Sequence, residues 1–214
     1  TVGYRKLGGR ELGYGSDLDL VFLHDSHGEA QHSDGENCVD NAVFFARLGQ
    51  RMMHMMATQT ATGRLYEIDT QLRPDGASGM LVSGLESFEQ YQQNQAWTWE
   101  HQALSRARLI VGNAQLAGEF DRIRRSVLSR QRDPVQLRQD ILDMRQKMRD
   151  ALGTKPGTKV AGQHLPPNEQ ADVFHLKQDA GGMIDIEFIA QYGVLANAVT
   201  QPQLLQHTAT RKLL

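Results

Sequence analysis

The pattern of apolar residues predicts an α+β fold: a mixed β-sheet with flanking helices over about residues 1–113, followed by an α-helical bundle over residues 114–214. Three observations carry that expectation. Apolar and polar residues alternate over residues 17–23 and again over 64–74, the period of two that strands require. A glycine pair, Gly8-Gly9, precedes the first of these strands, as expected where a chain turns into a sheet. Past Gly112 the alternation gives way to steps of three and four, through Leu116, Phe120, Ile123 and Val127 and then, beyond Pro134, through Leu137, Ile141, Met144, Met148 and Leu152.

Taken in order, residues 1–4 read as the tail of a strand that enters the glycine turn, and a short helix is expected to open at Arg10, Glu11 and Leu12. Its glycine amides would then face an anion. The strand over 17–23 places Asp17, Asp19 and Val21 on one face and Leu18, Leu20 and Phe22 on the other. Two carboxylates one pleat apart repel each other, and the arrangement becomes useful when a divalent cation sits between them. Mg²⁺ suits such a pair, because it prefers oxygen ligands and is commonly held by one or two carboxylates plus substrate phosphates.

Residues 24–37 form a polar loop whose His24, His27 and His32 have no fixed geometry, so a loop is favoured over a zinc site. Val39, Val43, Ala46, Met53 and Met56 recur at helical spacing and predict a packing helix to about residue 60. In the second strand, over 64–74, Glu67, Asp69, Gln71 and Arg73 share one face, so Asp69 is available to a metal beside Asp17 and Asp19, with Arg73 at hand for negative charge. Ser83 and Glu86 have capping-box spacing ahead of a helix, and residues 96–111 read as its neighbour, with Arg106 and Arg108 as candidate phosphate contacts. The nine basic and five acidic residues of 121–150 read as a solvated helix face. Residues 153–169 are glycine- and proline-rich and predict an exposed loop. A last helix opens at Gly181-Gly182, with Ile184, Phe188, Tyr192 and Leu195 apolar, and Asp185 and Glu187 cap it or bridge to a neighbour.

Four stretches, KLGGRELGYGSDLDLVF, YEIDTQLRPDGASGMLV, WTWEHQALSRARLI and GGMIDIEFIAQY, together resemble the bifunctional glutamine synthetase adenylyltransferase/adenylyl-removing enzymes, a branch of the polymerase-beta-type nucleotidyltransferase superfamily. The resemblance implies a nucleotidyltransferase domain over residues 1–113, with Asp17, Asp19 and Asp69 as catalytic metal ligands for two Mg²⁺ ions. It implies ATP as substrate, bound through Gly8, Gly9, Ser16, Arg73, Arg106 and Arg108, and AMP transfer to a tyrosine of glutamine synthetase. The PII signalling protein is the implied partner and glutamine the implied effector. The GASGML and WTWEHQAL wording is similar to the C-terminal, adenylylating half. Arg5 departs from the resembling sequences, which commonly carry glycine there, and its bulk bears on nucleotide affinity. The other readings are the phosphorolytic half, another small-molecule nucleotidyltransferase, and a non-catalytic regulatory module of the same fold.

Composition narrows the field further. With 214 residues, 40% of them apolar, the chain can bury a sizeable core. A net charge of −2 argues against nucleic-acid binding, which needs a positive field. The one cysteine, Cys38, excludes an internal disulfide and fits a reducing cytoplasm. No apolar run approaches the roughly 20 residues that span a bilayer, so no membrane partner is expected. Because the chain starts on Thr1 inside a strand, it reads as a piece of a longer protein.

Overall fold

The computed structural model describes residues 1–28, 31–63, 66–155, 157–160 and 171–214. In chain order the elements are β1 (Val2–Gly3), α1 (Arg5–Gly8), β2 (Leu18–His24), α2 (Asn41–Ala57), β3 (Ile68–Asp69), β4 (Val82–Gly84), α3 (Leu85–Asn94), α4 (Thr98–Ser105) and β5 (Arg108–Leu109). There follow α5 (Ala114–Leu128), α6 (Pro134–Leu152), β6 (Lys159–Val160), β7 (Ala171–Asp172), α7 (Met183–Asn197) and α8 (Thr210–Leu213). No helix among the described residues is long and apolar enough to cross a membrane.

The expected mixed sheet is present, with β2 as its spine. β1 pairs antiparallel with β2 and with β5, while β3 and β4 run parallel to successive stretches of β2. Alternation along β2 feeds two cores. Val21 and Leu23 face the large core shared with α3 to α7, and Leu20 and Phe22 face a smaller one under α2. The large core runs from Val2 and Tyr4 through Phe88, Leu104, Phe120, Ile141 and Leu195 to Leu205, so sheet and helices bury their apolar surface against each other.

Several local expectations give way to tertiary contacts. The helix beside the glycines is α1, which ends at Gly8, so the amides of Gly8 and Gly9 are spent on the Tyr4 and Arg5 carbonyls at 2.9 and 2.8 Å. They are not open donors for a phosphate. On α2 the buried side is Phe45, Gly49, Met52 and Met53, whereas Val43 and Met56 are exposed. Gly49 decides this face: a Cβ there would stand 2.8 Å from Val82 Cγ2, so the helix lies against the sheet at that point. The strand expected over 64–74 is reduced to Ile68–Asp69, because Asp69 Oδ1 accepts the Gln71 amide at 2.7 Å and turns the chain. Residues 64 and 65 of that stretch lie outside the described residues.

Ser83 lies in β4 and makes no capping box; Gly84 is the N-cap of α3. The helix expected to reach residue 111 stops at Ser105, where the chain becomes β5 and Arg108 pairs with Gly3. Helices α5 and α6 keep their expected stripes, except that Leu152 is exposed. Their basic face is not wholly solvated, since Arg124 and Arg145 are 2% and 4% exposed. Arg124 donates to the Leu104, Ser105 and Leu205 carbonyls, and Arg145 pairs with Asp185, so both act as bolts between helices. The expected loop over 153–169 lies largely outside the described residues; its described part includes β6, which pairs with β7.

Gly8 is the tightest position in this frame. A Cβ added there would overlap the Arg106 carbonyl oxygen and stand 2.5 Å from the Gly3 carbonyl oxygen. Both obstacles are backbone and cannot swing away. Gly8→Ala should therefore cost about 2–3 kcal/mol, in the upper part of the range for ordinary overpacking. Thermal unfolding checks this as a fall in melting temperature of roughly 5–10 °C.

Candidate active site

β2 leaves the glycine turn with Asp17 just ahead of its first residue and Asp19 one pleat further along the same face. The parallel register sets Asp19 beside Asp69 of β3. Residues so paired project to the same side of a sheet, on strands roughly 5 Å apart. Asp17 is exposed and Asp69 half-buried, while Asp19 is only 6% exposed. Burial raises the Asp19 carboxyl above its ordinary value near 3.8; Arg5 opposes that rise, and Asp69 and Asp17 add to it. The three carboxylates therefore sense one another.

Arg5 Nη1 lies 3.3 Å from Asp19 Oδ1. It reaches there from a left-handed backbone with φ 45°, a conformation that costs a residue with a side chain of order 1 kcal/mol. A cleft of about 670 Å³ opens over these groups. Arg5, Lys6, Ser16, Asp17 and Asp19 line its sheet side, and Trp99, Met144, Met148, Glu187 and Phe188 line its helical side, with Lys177 between. Gln102 on α4 donates to Gln191 on α7 at 3.1 Å, and both side chains line the cleft.

Among the described residues, no three acidic, histidine or cysteine side chains converge closely enough to enclose a metal ion. The aspartates form an open cluster instead. That suits Mg²⁺ chemically, because a substrate's phosphates normally complete its coordination, and a cation there would relieve the repulsion around Asp19.

The cleft gathers Ser16, Asp17 and Asp19 of the residues singled out in the sequence, and strand pairing brings Asp69 to their edge. The others stand outside its lining. Arg73 braces the turn after β3, donating to the carbonyls of Thr70, Ala77 and Gly79 at 2.9, 3.0 and 3.2 Å. Arg106 is 1% exposed and lies between Glu11 and Glu187, with Glu187 Oε2 at 3.1 Å. Arg108 donates to the Gly8 carbonyl at 3.0 Å and to the Leu7 carbonyl at 3.3 Å. Both arginines thus hold the glycine turn from behind. Sequence reasoning missed Lys177 and the place of Glu187 in the cleft, since only the packing of α7 and the turn before it brings them into the same lining as Asp17 and Asp19. Arg5 carried one signal, its departure from glycine at a position whose φ is positive.

A family model for glutamate-ammonia ligase adenylyltransferase matches residues 1–123. The bifunctional glutamine synthetase adenylyltransferase/adenylyl-removing enzyme of Pseudomonas syringae pv. tomato is 52% identical over 213 residues, covering 100% of this chain and 21% of that protein. Its counterparts in Thioalkalivibrio sulfidiphilus and Pseudomonas putida are 52% and 51% identical over the whole chain, which covers 20% and 22% of them. The chain thus spans about a fifth of the length of these relatives.

The burial of Asp19 has a consequence for stability. A carboxyl whose folded pKa is raised takes up protons more readily folded than unfolded, so it withdraws stability as pH rises from about 4 through its folded value, and withdraws none below. Asp19→Asn should raise the melting temperature at pH 7, with Arg5, 53% exposed at its side chain, regaining water. The gain should shrink towards zero as the pH falls below about 4. Thermal unfolding of both proteins across that range measures it.

Proposed function

Because the chain belongs to the glutamate-ammonia ligase adenylyltransferase family, we propose that its cleft transfers AMP from ATP to a tyrosine hydroxyl of glutamine synthetase, and so helps regulate nitrogen assimilation. The observation that carries this reading is the buried Asp19 carboxylate, flanked by Asp17 and paired in register with Asp69, at the wall of a cleft that also bears Arg5, Lys6 and Lys177. Two Mg²⁺ ions held by Asp17, Asp19 and Asp69 would lower the pKa of the acceptor hydroxyl and neutralise the departing pyrophosphate.

The chain's own groups supply position and charge. Lys177 and Lys6 offset the triphosphate, and Ser16 contributes a hydroxyl at the turn. Trp99, Phe188, Met144 and Met148 offer apolar surface to the base. Asp69 spends Oδ1 on the Gln71 amide, which leaves Oδ2 for the acceptor side. The tyrosine oxygen bonds to the α-phosphorus as the bond to pyrophosphate breaks, in one in-line displacement without a covalent enzyme intermediate. Gly8, Gly9, Arg73, Arg106 and Arg108 serve the nucleotide by shaping the turns around it. Residues 1–113 are then the catalytic part, and residues 114–214 supply, together with α4, the helical wall of the cleft.

The direction we assign is adenylylation, on the GASGML and WTWEHQAL wording. The PII signalling protein is the proposed partner, glutamine the proposed effector and the cytoplasm the proposed compartment.

The test uses the full-length protein with labelled ATP, Mg²⁺ and unmodified glutamine synthetase, and in parallel adenylylated glutamine synthetase with phosphate. Label should pass to glutamine synthetase, and substitution of Asp17 or Asp19 by Asn should cut that transfer at least about a hundredfold while the fold persists. ADP release that is lost with these variants while AMP transfer survives would reverse the assigned direction.

A further inference from the structure

A second cleft, of about 400 Å³, shares no lining residue with the first. It lies where β5 and α5 meet the chain leading into α8, and its walls carry Arg10, Arg108, Arg124, Arg125, Lys212 and His207 against one carboxylate, Asp121. The whole chain has a net charge of −2, so this is a local concentration of positive charge. Asp121 is already engaged, with Oδ2 2.6 Å from Arg125 Nε.

Buried Arg124 and half-buried Arg108 are hydrogen-bonded but only weakly neutralised. Arg124 gives its three nitrogens to the carbonyls of Leu104, Leu205 and Ser105, and its nearest carboxylate oxygen, on Asp121, is 3.9 Å away. Arg108 gives Nε and Nη2 to the carbonyls of Gly8 and Leu7. Carbonyls satisfy donors and leave the net charge in place. Burial lowers the pKa of both guanidiniums; Arg10 adds to the shift on Arg108, while on Arg124 Asp121 opposes the shift and Arg125 adds to it. At the rim, Arg10 and Lys212 make no ion pair among the described residues.

We propose that this cleft is an anion site that takes a small phosphate-bearing ligand. The volume suits one, since pockets for small molecules run from about 300 to 1,000 Å³. Its position ties it to the glycine turn: Arg108 and Thr208, both lining residues, donate to the same Gly8 carbonyl at 3.0 and 2.9 Å. An anion drawing on Arg108 competes with that carbonyl.

The probe is inorganic phosphate, titrated by calorimetry into the protein with EDTA present and ionic strength held constant with KCl, so that metal-dependent binding in the first cleft is silent. Wild type should bind phosphate saturably. Arg10→Ala/Lys212→Ala, at two exposed rim positions, should bind at least about tenfold more weakly. Lys212→Ala alone, on the short last helix, should show an intermediate loss and protects the test against misfolding of the double variant. Lys177→Ala, in the first cleft, should bind as wild type does. Phosphate binding that is unaltered in the rim variants, lost with Lys177→Ala, or no greater than the response to KCl overturns the proposal.

Discussion

A buried arginine ties the segment after the glycine turn to α7. Arg106 sits at the junction of α4 and β5, fully enclosed, with Glu11 from the segment after the glycine turn on one side and Glu187 from α7 on the other. A charge taken out of water is tolerated only when paired, and removing one partner of such a pair typically costs about 3–5 kcal/mol. Two consequences follow for the chain around it. Gly9 must lack a side chain, because a Cβ would stand 2.6 Å from Arg106 Nη2. α7 must also remain where Glu187 can reach inward, which keeps the helical wall over the aspartates.

The same economy recurs at neighbouring contacts. Asp185 accepts the Gly181 amide at 2.6 Å, capping α7, and also pairs with Arg145 of α6. Two residues on, Glu187 points to a different neighbour, as a spacing of two on a helix requires. One turn of α7 thereby locks to α6 and to the sheet at once. Thr210 Oγ1 donates to Glu11 at 3.1 Å, which brings the final short helix into the same network.

This arrangement explains why a cleft exists at all. Parallel pairing of β2 with β3 puts Asp19 and Asp69 side by side, an unfavourable placement for two carboxylates unless positive charge is near. Arg5 and Lys177 provide some of it within the chain. Asp19 is also largely withdrawn from solvent, which strengthens the interactions its carboxylate makes. Substrate phosphates and cations would enter a space whose charges are set before they arrive.

Much of this was legible in the sequence, because it depends on local periodicity. Alternation over 17–23 gave β2 and its two faces to within one residue, and the stripes from Leu116 and Leu137 gave α5 and α6. The shared face of Asp17 and Asp19 was legible from that alternation, and the family from motif wording. Tertiary structure alone decided the rest. The glycine amides turned inward because α1 forms ahead of them, and Arg106 and Arg108 turned towards carboxylates and carbonyls instead of the cleft. Lys177 and Glu187 joined the site because α7 and the turn before it fold back across more than 150 residues of chain. A sequence records which side chains share a strand or helix face, since that is set by backbone geometry within a few residues. Which buried charge meets which partner is set by close packing between distant segments, and no local spacing encodes that choice.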